Sequence, residues 1–141
     1  MAHATARRID HVAVVVKDAD EAVTRFAADL GLVVSADVRS PDGGVRLVYL
    51  EAGDTTLQLV QPLRPGPVAV WLRDCGEGLH HICFDVPDLA GALASLPDED
   101  PAAITMGGRG CPVAFIDARP HGVVIELTET VPSVALRGAA T

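Results

Sequence analysis

The chain has 141 residues, with little cysteine, no cluster of basic residues and no long apolar run. Its three cysteines, Cys75, Cys83 and Cys111, are an odd number without CxxC spacing. They exclude a disulfide framework and read as reduced thiols. No segment approaches the roughly 20 apolar residues that span a bilayer. Eleven Lys and Arg are scattered among 19 Asp and Glu, for a net charge of −8. Without a basic run, neither nucleic acid nor an anionic membrane is expected as a partner. The opening residues MAHATARR lead into Ile9-Asp10-His11 with no signal-peptide core, which together with reduced thiols points to the cytoplasm. What the chain does have is 49% hydrophobic against 21% charged residues, enough at this length to bury a core. That fits one domain, or two small modules fused into one.

The β-branched run 9–16 reads as a buried strand. Asp18, with Glu21 three residues on, starts a helix whose apolar positions are Ala22, Phe26, Ala27 and Leu30 and which stops at Gly31. Strands follow at 32–38, 45–52 and 55–61, separated by Pro41-Asp42-Gly43-Gly44 and Gly53-Asp54. Residues 8–62 thus form a βαβββ module, and 63–78 a linker with a short helix at 68–74. The pattern then restarts over 79–130: a strand at 79–86, a helix from Asp88 to Leu96, and strands at 112–117 and 122–128. Strand content in 97–110 is undecided, and 131–141 reads as a flexible tail.

The two modules are a repeat. A shift of 70 residues lays His11-Val12-Ala13-Val14 on His81-Ile82-Cys83-Phe84, and Asp18 on Asp88. Near each module's end, Thr56-Leu57-Gln58-Leu59 matches Val124-Ile125-Glu126-Leu127. Neither module can bury its own sheet, so the two must pack together. The fold class is therefore α+β, a curved eight-stranded mixed sheet built from paired βαβββ modules. The repeat places His11, Gln58, His81 and Glu126 at related strand positions. Taken singly, a strand histidine is more often a satisfied core residue than a ligand. A strand carboxylate among leucines is more telling, because its burial demands a cation. Two imidazoles and two oxygen donors suit a divalent ion: Co, Mn, Ni, Zn or Fe. His80 should point to the opposite face, as a structural residue or one that supports a ligand. His3 and His121 are expected at the surface, and Gln61 and Glu129 in solvent or on the opposite side. Cys83 shares parity with His81.

The segments IDHVAV, TLQLVQPL, GEGLHHICFDVPDL and GVVIELTE resemble the vicinal-oxygen-chelate superfamily, and within it most closely the methylmalonyl-CoA epimerases. The resemblance implies a glyoxalase-like fold and metal ligands at His11, Gln58, His81 and Glu126. It also implies an isomerase that removes the proton α to a thioester carbonyl, with an acyl-CoA substrate and a homodimeric assembly. Some family members carry a second glutamate in the strand after the Gly-Val turn, where this chain has Leu47. The family's His-Pro-Lys segment is replaced by Ile116-Asp117-Ala118-Arg119-Pro120-His121, and 97–111 is short. Glu126 is the expected base, with Tyr49, Glu51 or bound water as candidate partners. Arg46, Arg64, Arg109 and Arg119 are candidate phosphate contacts, though scattered arginines are more often solvated surface. Other classes on the same scaffold are a glyoxalase I-like lyase, an Fe(II) dioxygenase using His11, His81 and Glu126, a tailoring enzyme of secondary metabolism and a non-catalytic resistance protein.

Overall fold

The computed structural model describes residues 5–130, so His3 and the segment 131–141 read as a tail lie outside it. The elements run β1 (Arg8–Val15), α1 (Ala19–Leu30), β2 (Val33–Arg39), β3 (Val45–Ala52), β4 (Thr55–Pro62), α2 (Pro67–Cys75), β5 (Gly78–Asp85), α3 (Leu89–Ser95), β6 (Thr105–Met106), β7 (Pro112–Phe115) and β8 (Ile125–Thr128). All eight strands form one mixed sheet in the order β2-β3-β4-β1-β5-β8-β7-β6. Each module pairs its first strand parallel to its last, β1 with β4 and β5 with β8. The modules join along the antiparallel β1–β5 pair at the centre.

Alternation along the strands gives the sheet two faces. On one, Val48, Leu50, Leu59 and Val16 pack against Ala19 and Ala22 of α1. The matching cluster of the second module sets Leu127 and Ala114 against Leu89, Ala92 and Leu93 of α3. The other face carries Ala13, Val15, Leu47, Tyr49 and Val60, with Val68, Trp71 and Leu72 of α2 packed at one side. Ala27 and Leu30, expected on the buried stripe of α1, are exposed, and the helix meets the sheet through Ala19, Ala22, Val23 and Phe26 instead.

Both module helices begin alike. Asp18 and Asp88 accept from the backbone N–H groups of Glu21 and Gly91. Gln61 and Glu129 are not idle in solvent. Their Oε1 atoms accept from Ala19 N and Leu89 N at 2.8 Å, so each satisfies a helix-start donor from the end of the module's last strand. The last strand begins at Ile125 rather than 122. Pro120–Gly122 form a 3-10 turn, and His121 within it is exposed and takes a left-handed φ of 52°. Replacing Gln61 or Glu129 by Ala should cost about 1 kcal/mol of stability each in urea unfolding, with unchanged metal content. A stability loss below a few tenths of a kcal/mol for both would show that water replaces these caps at no cost.

Candidate metal centre

The register across the central strands brings the four repeat residues together. Gln58 of β4 pairs with Ala13 of β1, which pairs with His81 of β5. In the next row, Glu126 of β8 pairs with Cys83 of β5, which pairs with His11 of β1. Each row sets a small, fully buried residue between two polar ones, and the rows are related by the repeat. Ala13 and Cys83, 70 positions apart, place little side-chain bulk between their longer neighbours. Cys83 lies beneath the centre rather than in the cavity wall. Burial, and the charge of Glu126, push its thiol up, so it stays protonated.

The donor atoms converge. His11 Nε2 and His81 Nε2 are 3.3 Å apart, and Glu126 Oε1 lies 3.1 Å from the first and 3.2 Å from the second. Adjacent ligands of one divalent ion, bound at about 2.0–2.2 Å, are themselves roughly 3 Å apart, so this triangle fits such an ion. Gln58 Nε2 donates to Tyr49 Oη at 2.9 Å, which leaves the amide oxygen for a cation. Burial alone would raise the Glu126 pKa, but hydrogen bonds from the two imidazoles outweigh it and hold the carboxyl at about 2. Burial would lower His11, yet its bonds to Asp10 and Glu126 raise it above the usual value.

Two β-bulges complete the centre. The β1–β5 register skips Asp10 on β1 and His80 on β5, positions again 70 apart. Each bulged residue turns toward the same side as the histidine after it and lines the cavity beside it. Asp10 Oδ2 is 2.7 Å from His11 Nδ1, and His80 Nδ1 is 2.7 Å from His81 Nδ1. The expectation that His80 faces away is thus corrected, since strict alternation fails at a bulge. The first histidine is oriented by a carboxylate and the second by an imidazole. Burial and the adjacent His81 lower His80 to about 4, so it is a neutral partner. Asp10 gave no sign in the sequence, because its role depends on the skipped register.

These residues border a cavity of about 720 Å³ whose wall also includes Leu47, Tyr49, Trp71, Arg109 and Phe115. Glu51 is outside it. Although it shares a face with Tyr49, it stands at the exposed end of β3 and accepts from Ser35 Oγ at 2.6 Å. Of the four arginines, Arg46 is held by Asp20 and Asp37, and Arg64 donates to the Asp42 carbonyl. Arg109 and Arg119 face the cavity.

A family model for the glyoxalase/bleomycin resistance protein/dioxygenase superfamily matches residues 10–115. The chain belongs to that superfamily. Human mitochondrial methylmalonyl-CoA epimerase is 33% identical over 129 residues, covering 86% of this chain and 73% of that protein. An ethylmalonyl-CoA/methylmalonyl-CoA epimerase of Cereibacter sphaeroides is 31% identical over 86% of this chain and 97% of its own. A single-residue variant of Streptomyces coelicolor methylmalonyl-CoA epimerase, solved in complex with 2-nitronate-propionyl-CoA, superposes with a TM-score of 0.81 at 30% identity, covering 92% of this chain and 99% of that one. The superfamily's curled sheet of paired modules is the architecture found here. Among the described residues no helix is long and apolar enough to cross a membrane. If the small side chain of Ala13 is what lets Gln58 and His81 converge, Ala13→Leu should fold and yet retain less than about a tenth of the parent's bound metal by elemental analysis. Full metal retention would mean that the rows need no small residue between them.

Proposed function

We propose that this protein is a metal-dependent epimerase that exchanges the α-proton of a 2-alkylmalonyl thioester, with methylmalonyl-CoA as the reference substrate. The observation that carries this reading is a buried carboxylate, Glu126, held against both imidazoles at the wall of a cavity large enough for an acyl thioester. The epimerase relatives support it. His11, Gln58, His81 and Glu126 would hold a divalent ion (Co, Mn, Ni, Zn or Fe), which when bound would supply Lewis-acid stabilisation of charge developing on the thioester oxygen.

The chain's own groups then handle the proton. Glu126, with its carboxyl held at about 2, is ionised at neutral pH and accepts the α-proton on one face of the substrate. The partner on the other face cannot be a glutamate at position 47, because Leu47 is there, nor Glu51, which lies outside the cavity. Tyr49 takes that part. It is buried, its hydroxyl touches Gln58, and burial raises its pKa, so it carries a proton to return.

Deuterium wash-in at the α-carbon of methylmalonyl-CoA tests the assignment. Glu126→Gln keeps an oxygen donor and should lower wash-in about 10²–10⁴-fold while retaining most of the metal. Tyr49→Phe should slow inversion more than wash-in, because removal by Glu126 survives. Wash-in by Glu126→Gln at the parent's rate would reduce Glu126 to a ligand. No wash-in by the parent would end the epimerase reading.

Homodimeric assembly belongs to the same reading, supported by the exposed apolar side chains Leu30, Val33, Val34 and Leu79. Light scattering at micromolar concentration should give twice the chain mass, and a monomer would count against it.

A further inference from the structure

The loop between β6 and β7 carries a cation whose placement nothing above explains. It reads Gly107-Gly108-Arg109-Gly110-Cys111 and closes over the cavity beside Tyr49. Its path is set by contact. A Cβ on Gly108 would collide with Leu47 Cδ1 and lie 2.8 Å from Tyr49 Oη, so any larger residue would have to displace those side chains where the loop presses against β3. Gly110 follows with a φ of +82°, which turns the chain back toward β7. Between them the Arg109 guanidinium lies on the Tyr49 ring, 4.5 Å from its centre, and Nη2 donates to Asp10 Oδ2. Its side chain is 33% exposed, toward the cavity it lines.

Asp10 does not need this arginine. Its Oδ1 accepts from Arg8 Nη2 at 3.0 Å, and its Oδ2 also meets His11 Nδ1 at 2.7 Å. Arg8 also reaches Asp85 and so stays at the rim. A guanidinium has five N–H donors in a planar fork suited to a carboxylate, and Asp10 is the one protein acceptor recorded for Arg109 among the described residues. The charge balance points the same way. Glu126 and Asp10 place two negative charges at the centre. A divalent ion offsets them, with Arg8 already shared with Asp85, so a substrate carboxylate entering there needs a further positive partner in a site of low dielectric.

Resting on the epimerase reading, we propose that Arg109 is a specificity-determining residue that binds the free carboxylate of the acyl group. It thereby selects dicarboxylic acyl thioesters over monocarboxylic ones. The stack on Tyr49 keeps the guanidinium plane fixed, so little side-chain freedom is lost when the anion binds.

Calorimetric titration of the metal-loaded protein with malonyl-CoA and with propionyl-CoA, which lacks the carboxylate, separates the possibilities. The parent should prefer malonyl-CoA. Arg109→Gln should weaken malonyl-CoA about 10–100-fold, as expected for losing a hydrogen bond to a charged group, and leave propionyl-CoA within about twofold. Arg109→Lys should fall between. Metal content and melting temperature equal to the parent's would show that the variants are folded. Equal loss for both ligands would reduce Arg109 to a loop anchor, and no loss for either would leave it only an Asp10 partner; either result overturns the proposal. A parent that washes deuterium into methylmalonyl-CoA while Arg109→Gln discriminates as the parent does would fail this inference alone. A parent without wash-in would fail the epimerase reading itself.

Discussion

The antiparallel β1–β5 seam is the constraint on which the rest of the molecule depends. Each module alone presents one histidine and one oxygen donor on an open sheet, too few to hold an ion. The seam sets Ala13 opposite His81 and His11 opposite Cys83, so that the histidine of each module completes a row begun by the other's last strand. A slip of one residue would turn one module's donors to the helix-covered face, where α1 and α3 leave no space for them. Leu59 and Leu127, next to Gln58 and Glu126 on β4 and β8, are buried under the helices on the other face.

The bulges show how a regular sheet makes an irregular site. Strict alternation allows one side chain in two to face the cavity. Skipping Asp10 and His80 in the pairing lets two consecutive side chains do so at each histidine, and the extra one fixes the imidazole through Nδ1. The repeat is kept in position but not in chemistry. A carboxylate tied to Arg8 and Arg109 stands behind His11, whereas a neutral imidazole packed on Trp71 stands behind His81. Against the lowering by burial, its bonds to Asp10 and Glu126 raise the pKa of His11 above the usual value. The centre is thus two-fold in backbone and asymmetric in the groups that stand behind its two histidines.

The second module is the more reduced. Its helix has seven residues against twelve, and β6 only two. Like the β2–β3 turn of the first module, whose Ser40 and Pro41 line the cavity, the glycine loop between β6 and β7 borders it. In place of strand pairing, this loop is held by close approach to Leu47 and Tyr49 and by the Arg109–Asp10 pair. The bulk of Leu47 is part of that packing, so the position where some relatives keep a glutamate here serves to seat the loop.

The two modules, the helix starts at Asp18 and Asp88, the sheet and the four polar residues of its central rows were all legible in the order of residues. They follow from local patterns repeated at a fixed offset: apolar alternation, capping residues and a polar residue among leucines. The place of Asp10 and the side to which His80 turns were not legible, because a bulge is a property of two strands in register and neither strand encodes it alone. Gln61 and Glu129 as helix caps were hidden for a similar reason, since each reaches a backbone donor about 40 residues away. Glu51 and Tyr49 share strand parity, and only the curvature of the sheet and the hairpin at Gly53 decided that Tyr49 lies in the cavity and Glu51 at the surface. Arg109, one of four scattered arginines by sequence, acquired its place when the glycines beside it allowed the loop to close on Tyr49.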